Sequence, residues 1–218
     1  MVVALASRFW RLGCPKIYHE VATRLHFWQE FVPQRYAVQN QITLEEAKKQ
    51  LEPRFQAMQG KLEWYCLDYW SDALKLDIAG LKAEISGLIA ILPHVTDFLE
   101  KVSASSRELL LVTNAHPDSL ELKMEKTCLH QFFDAVISSH QFGFPKEHPD
   151  FWRHLQHHHP FRKNYTLLVD DSVAVLHAAR RYGLQYLLSI SRPDSRQANR
   201  VIDEFPSIQD FREILAGI

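Results

Sequence analysis

From residue 108 onward, short apolar runs alternate with segments of helical pattern. The runs are "ELLLVTN" (108–114), "FDAVISS" (133–139), "YTLLVDD" (165–171) and "LQYLLSIS" (184–191). Helical patterns cover roughly 94–104, 117–128, 149–158 and 172–182. Parallel strands need long crossover connections, which helices usually supply, and the continuous apolar character of "LLLV" and "TLLV" is typical of strands buried on both faces. The sequence therefore predicts an α/β fold with a parallel sheet covered by helices.

The segment from 43 to about 90 has a helical pattern and no convincing strand. Thr43 stands three residues before Glu46, the spacing of a capping box. Asp77 lies near the start of a later helix, and Pro93 closes the block. Apolar residues at spacings of three and four predict a single helix face made of Leu62, Tyr65, Cys66, Tyr69 and Trp70. We expect an all-helical module ahead of an α/β core that resumes near residue 91.

Composition sets limits on partners and location. The net charge of −1, with no long run of like charges, gives no indication of a nucleic-acid or membrane-surface partner. No apolar run approaches the ~20 residues needed to cross a bilayer. The cysteines, Cys14, Cys66 and Cys128, are odd in number and widely spaced, so they predict neither a disulfide framework nor a CxxC zinc site. We expect reduced thiols in a cytoplasmic protein.

Polar residues follow the first clear strand, where open parallel sheets form their sites. Thr113 and Asn114 come directly after the apolar run, and Pro117 suits the first turn of the helix that follows. A hydroxyl, an amide and free backbone N–H groups at a helix start can hold an anion. An ordinary N-cap is the alternative.

After the second strand, Gly143 and Pro145 form a turn that presents Lys146 just before a helix. A lysine at this point can neutralise the charge of a phosphate or a carboxylate. A solvated loop lysine is the alternative.

Two adjacent carboxylates, Asp170 and Asp171, end the third strand and precede Ser172. One aspartate could cap the following helix, but two at a buried strand end repel each other unless a cation lies beside them. Oxygen ligands in small number suit Mg²⁺, which retains water and recruits substrate phosphate. The pair therefore predicts half of a magnesium site, and with Thr113 and Lys146 it indicates a phosphorylated ligand.

These motifs resemble those of the haloacid dehalogenase-like (HAD) hydrolases. "LLLVTNA" is similar to the second family motif, "GFPK" with "EHPDFW" to the third, and "LLVDDS" to the fourth. The sequence is more similar still to the branch that hydrolyses GMP and IMP, through "LEWYCLDYWSDALKLDI", "LLVTNAHPDSL" and "FGFPKE". The resemblance extends from about Phe27 to the C-terminus.

The resemblance implies a Rossmannoid parallel sheet with an inserted all-helical cap. Residues 1–27 and 91–218 would form the core, and residues 28–90 the cap, which would close over the site and select the leaving group. The first strand would lie at the centre of the sheet, and "VVALA" at 2–6 could serve, although its registration is poor.

The implied activity is Mg²⁺-dependent removal of phosphate from a purine nucleoside monophosphate. Thr113 and Asn114 would bind the phosphoryl group, and Lys146 would stabilise its charge and that of the nucleophile. Asp170 and Asp171 would hold the metal, with Asp171 favoured as the direct ligand. The partner would be a small phosphomonoester.

One family motif is missing. The family's first motif, of D-x-D-G-T type, supplies a nucleophilic aspartate and an acid, but no aspartate precedes Asp68 here. Cys14 and Glu20 are the only groups with nucleophilic potential near the expected position, and neither has the required spacing, so no nucleophile is identified. Two explanations stay open: a shifted reading frame across the first ~25 residues, which the abrupt return of family-like sequence at Phe27 favours, or a pseudoenzyme that binds nucleotide without hydrolysing it.

Histidines and aromatic residues offer further candidates. "QHHHPF" at 156–161 could bind a transition metal, but a solvated helix end is favoured. His116 lies beside the expected phosphate cradle and either contacts substrate or only starts a helix. An aromatic cluster could stack on a purine or simply pack, and Tyr65 or Tyr69 is the best candidate to face the cleft. The members of that cluster are Trp64, Tyr65, Tyr69 and Trp70.

Overall fold

The computed structural model describes residues 2–5, 26–91, 94–191 and 200–217. Its centre is a six-stranded sheet with the strand order β3-β2-β1-β4-β5-β6. The strands are β1 (Val2–Leu5), β2 (Leu110–Thr113), β3 (Ala135–Ser138), β4 (Leu167–Asp170), β5 (Tyr186–Ile190) and β6 (Ser207–Ile208). Four of them, β2 to β5, lie within the apolar runs from which they were predicted, and the predicted α/β fold is confirmed.

The sheet is parallel except at its centre. The β2–β3, β4–β5 and β5–β6 pairs are all parallel, as the alternating pattern predicts. The central strand β1 instead pairs antiparallel with both β2 and β4. The strands β2 and β4 can each form their backbone hydrogen bonds with an antiparallel β1, because antiparallel pairing is at least as favourable as parallel pairing.

The direction of β1 corrects the expectation that the first strand joins a wholly parallel sheet. Val2 pairs with Val112, near the carboxyl end of β2, whereas Leu5 pairs with Leu167 at the amino end of β4. The last residue of β1 therefore lies at the edge of the sheet opposite Asp170, the last residue of β4.

Helices account for most of the remaining structure. The α-helices are α1 (Val32–Asn40), α2 (Leu44–Met58), α3 (Leu67–Leu74), α4 (Ile78–Glu84), α5 (Val95–Ser103), α6 (Pro117–Thr127), α7 (Pro149–His158) and α8 (Val173–Tyr182). Shorter helical segments are Phe27–Phe31, Leu62–Tyr65, Ser86–Leu88, Leu129–Phe132, Ser139–Gln141, Lys163–Tyr165 and Phe211–Gly217. The predicted caps are present: Thr43 and Glu46 form a capping box on α2, and the Asp77 carboxylate accepts from the Gly80 amide at the start of α4.

The single helix predicted across residues 62–76 is wrong. Leu62–Tyr65 is a short 3₁₀ helix, Cys66 is extended, and α3 begins at Leu67. The Cys66 thiol accepts a hydrogen bond from the Tyr69 amide at 3.4 Å, so this residue caps α3 instead of continuing a helix.

Three apolar cores hold these layers together. Alternate residues of β2 face opposite sides of the sheet: Leu111 packs with α5 and α6, and Leu110 with α7 and α8. A third core lies within the helical residues 27–85 and includes Phe27 and Trp70, which are fully or almost fully buried. A separate core agrees with an inserted helical module, although the division at 28 and 90 stays a prediction. Within the described ranges, every helix is too short or too polar to traverse a bilayer.

Candidate active site

Polar side chains are buried at the carboxyl ends of three strands, the neighbours β3 and β2 and, on the other side of β1, β4. Thr113 ends β2, Ser138 ends β3 and Asp170 ends β4, and their exposed fractions are 3%, 2% and 0%. Burying polar groups is unfavourable unless they are hydrogen-bonded. Their concentration at the carboxyl edge of the sheet marks this edge as the candidate site, as predicted from the sequence.

A buried ion pair joins two of the predicted site residues. Lys146 Nζ donates to Asp170 Oδ2 at 2.8 Å, and the two side chains are 2% and 0% exposed. The second carboxylate oxygen, Asp170 Oδ1, accepts from the Ser172 amide at 2.8 Å. Burial raises the pKa of Asp170 above its ordinary value, and the Lys146 ammonium opposes that shift. Lys146 is therefore not a solvated loop lysine.

Asn114 connects this pair to the helical module. Its Oδ1 accepts from the Lys146 amide at 2.9 Å, and its Nδ2 donates to Glu147 Oε2 at 2.8 Å. The other oxygen, Glu147 Oε1, accepts from the Tyr65 hydroxyl at 2.9 Å. The chain of contacts thus runs from the helical segment 62–65, through Glu147 and Asn114, to the buried lysine.

Thr113 lies at the start of the loop that leads into α6. Its hydroxyl accepts from the Ala115 amide at 3.0 Å, and the Ala115 carbonyl accepts from the Ser138 hydroxyl at 2.7 Å. These bonds fix the loop between β2 and α6. The helix begins at Pro117, as predicted, with His116 as its N-cap residue.

Asp171 follows Asp170 but lies in a different environment. It is half-buried, and its backbone carbonyl accepts from the Arg200 guanidinium at 2.9 Å. Both oxygens of Asp170 accept hydrogen bonds, from Lys146 Nζ and from the Ser172 amide. The carboxylate oxygens of Asp170 and Asp171 are donors of the kind that suits Mg²⁺.

Of the aromatic residues and histidines singled out from the sequence, some pack in the helical core or face solvent, and others lie near the strand ends. Trp64, Tyr69 and Trp70 pack in the helical core, whereas Tyr65 reaches Glu147. His157 and His158 are exposed near the end of α7, in agreement with the favoured solvated helix end. His116 is 9% exposed and lies beside Asp68 and His140.

The described strand at the centre of the sheet carries no carboxylate. Its residues are Val2–Leu5, and the first aspartate of the whole sequence is Asp68. The nucleophile candidates Cys14 and Glu20 lie outside the described residues. The described residues at the strand ends could therefore bind an anion and a metal cation, but none of them is assigned as the nucleophile.

A mostly parallel α/β sheet with polar strand ends and a helical module before its second strand defines a Rossmann-like enzyme core. The model of the haloacid dehalogenase-like hydrolase family matches residues 17–189. The chain belongs to this family, and the resemblance found in its sequence motifs is confirmed.

Curated relatives and solved structures agree with this placement. The chain is 36% identical over 193 residues to "GMP/IMP nucleotidase YrfG" of Escherichia coli strain K12, which covers 88% of this chain and 87% of the relative. The same protein of Shigella flexneri matches to the same extent. A HAD phosphatase from Thermococcus onnurineus superposes with a TM-score of 0.72 at 18% identity, over 90% of this chain and 89% of that one.

A further structural neighbour is the HAD-hydrolase YfnB from Bacillus subtilis, whose structure was determined bound to magnesium. It superposes with a TM-score of 0.61 at 18% identity, over 88% of this chain and 91% of its own. At this level of identity, both structural neighbours support the fold alone.

Sequence reasoning missed Glu147 as a site residue. It bridges Tyr65 and Asn114 although it is separated from them by 82 and 33 residues. The only local signal was its position directly after Lys146 in the loop that contains Gly143 and Pro145. Ser138, which ties the loop after β2 to β3, was missed in the same way.

Proposed function

We propose that this chain is a Mg²⁺-dependent phosphatase of purine nucleoside monophosphates such as GMP and IMP, whose nucleophile is not among the residues that the structure describes. The observation that carries the proposal is the buried Lys146–Asp170 pair at the strand ends, in a chain that is 36% identical to a GMP/IMP nucleotidase. A buried ammonium group such as that of Lys146 suits an anionic substrate, because a low local dielectric strengthens its attraction for negative charge.

Phosphate binding is assigned to Thr113, Asn114 and Lys146. Thr113 would contribute its side-chain hydroxyl. The backbone amides at the start of α6 would contribute further donors, because the amino end of a helix favours an anion. Lys146 is positioned by Asn114 through its backbone and by Asp170 through its ammonium. Lys146 is the catalytic residue of the set, since it stabilises the negative charge of the transferring phosphoryl group.

Mg²⁺ would be held by Asp171 directly, with Asp170 beside it as the partner of Lys146. When bound, the ion would neutralise phosphate charge and orient the phosphoryl group. The assignment is supported by the exposure of the two residues, because Asp170 is fully buried against Lys146 whereas Asp171 is only half-buried.

The helical residues 28–90 are assigned as the cap that selects the leaving group. Tyr65 is a side chain of this module that reaches the strand-end residues, through Glu147. Closure of such a module excludes water from the site. The cytoplasmic location expected from the reduced thiols is part of the same proposal.

The experiment is release of inorganic phosphate from a panel of nucleoside monophosphates with Mg²⁺, repeated with a chelator. We expect release from GMP and IMP above that from CMP and UMP, and loss of release with the chelator. No release from any purine nucleotide would overturn hydrolysis. In that case, calorimetry with GMP and Mg²⁺ decides between the pseudoenzyme alternative, which predicts saturable binding without product, and a site that does not recognise nucleotides at all.

A further inference from the structure

A thiol and two imidazoles converge where the helical module meets the sheet. Cys66 Sγ and one ring nitrogen each of His116 and His140 all lie within 4.8 Å of one another. Cys66 precedes α3, His116 precedes α6, and His140 lies in the short helix after β3. Three segments that are distant in sequence thus bring together donor groups of the kind that zinc prefers.

Each histidine has one nitrogen engaged with another polar group. His116 Nε2 lies 3.4 Å from Asp68 Oδ2. The His140 side chain hydrogen-bonds the backbone of Asn114. Partners of this kind, a carboxylate and a backbone carbonyl, fix the ring orientation of metal-binding histidines.

The other nitrogen of each ring is buried and makes no hydrogen bond. Among the residues that the structure describes, neither His116 Nδ1 nor His140 Nε2 has a hydrogen-bond partner, and Asp118 Oδ2 lies 3.6 Å from His116 Nδ1, beyond hydrogen-bond distance. The two rings meet edge to face, with their centroids 5.1 Å apart. A buried polar atom without a partner calls for an explanation, and a bound ion is one of the few available.

Cys66 suits the third position. It caps α3, where its sulfur accepts from the Tyr69 amide at 3.4 Å. The positive end of a helix dipole favours an anion at this point, and the thiolate is the form of cysteine that binds metals.

We infer that Cys66, His116 and His140 form a binding site for a Zn²⁺-class transition-metal ion, with water in the fourth position and Asp68 orienting His116. Bond lengths of about 2.0–2.3 Å would bring tetrahedral ligands to roughly 3.3–3.8 Å from one another, so a contraction of roughly 1 Å completes the site. The ion would link the helical residue Cys66 to two residues of the α/β core. Because the donors are sulfur and nitrogen, this site is chemically distinct from the oxygen site at Asp171.

The test is a titration of the metal-free full-length chain with Co²⁺, which reports thiolate ligation by a sulfur-to-cobalt charge-transfer band. Cys14→Ser/Cys128→Ser leaves Cys66 as the sole thiol, and we expect the band to persist there and to saturate at one ion per chain. Cys66→Ser should abolish the band while it keeps the fold, because serine is itself a strong N-cap residue. His116→Gln and His140→Gln should each lower the Zn²⁺ affinity measured by competition with a chelator.

Asp68→Asn gives a graded readout, since loss of such an orienting carboxylate lowers metal affinity about 10–100-fold. The matched control is His157→Gln/His158→Gln, which removes two exposed imidazoles and should leave Co²⁺ and Zn²⁺ binding unchanged. Absence of the band in the Cys14→Ser/Cys128→Ser chain, or its retention in Cys66→Ser, would overturn the inference and leave the cluster as ordinary packing.

Discussion

Lys146 Nζ and Asp170 Oδ2 lie 2.8 Å apart with almost no exposure to solvent. Such a pair contributes little net stability as a unit, because both ions lose their hydration on burial. A functional role explains its position at the carboxyl edge of the sheet: under the proposed function, Asp170 holds the Lys146 ammonium where the phosphate would bind.

Lys146→Met should destabilise the chain by about 3–5 kcal/mol, because it leaves the Asp170 carboxylate buried without its partner. Denaturant unfolding measures the change. The double variant Lys146→Met/Asp170→Asn should recover much of the loss, since it removes the uncompensated charge and keeps an acceptor for the Ser172 amide.

The control for this prediction is Lys48, whose ammonium lies 2.7 Å from Glu30 in an exposed pair. Lys48→Met should cost less than about 1 kcal/mol, since exposed ion pairs contribute little. Equal losses in the free energy of unfolding for Lys146→Met and Lys48→Met would contradict the expectation that Asp170 depends on its buried partner.

Tyr65→Phe should uncouple the helical module from the strand-end residues. The hydroxyl donates to a half-buried carboxylate, and hydrogen bonds to charged groups contribute about 1.5–3 kcal/mol. A double-mutant cycle with Glu147→Gln should therefore give a coupling free energy of about 1–2 kcal/mol. Tyr186→Phe, at a tyrosine that is 55% exposed on β5, is the control and should be neutral. A coupling near zero would show that the two residues only lie side by side.

The capping box of α2 gives a pH-dependent prediction. Hydrogen bonds from the Thr43 amide and hydroxyl hold the pKa of Glu46 below its ordinary value of 4.5. A depressed pKa of the folded carboxylate means that its stabilisation is complete above the unfolded value and is lost as the pH falls through the folded value. In Thr43→Val the pKa of Glu46, followed by NMR titration, should rise toward 4.5. An unchanged pKa would show that the hydroxyl does not contribute.

Much of the fold was predictable because its signals are local. The strands β2 and β4 are continuous apolar runs buried on both faces, and the turn and cap residues that bound α2, α4 and α6 are visible in short windows of sequence. The strand-end rule then placed Asn114, Lys146 and Asp170 at one edge, where the structure brings them into direct contact.

What escaped prediction depends on contacts between distant segments. The alternation of side chains along a strand does not indicate the direction of the strand, so the antiparallel pairing of β1 could not be deduced. The strand β6 has only two residues and is too short to give a sequence pattern. The break at Cys66 follows from a cap that competes with helix continuation. Glu147 acquires its role only when Tyr65, 82 residues away, folds against it.

The central claim is that the strand-end residues bind a nucleotide phosphate together with Mg²⁺, and calorimetric titration with GMP tests it most directly because binding does not require turnover. We predict saturable GMP binding that needs Mg²⁺ and that weakens at least ~10-fold in Asp171→Asn, a change of about 1.4 kcal/mol. Asp134→Asn serves as the matched control, since this aspartate directly precedes β3, at the opposite edge of the sheet, and asparagine keeps an acceptor for the Leu109 amide. GMP binding that is absent, or that is equally strong in Asp171→Asn and without Mg²⁺, would contradict the account.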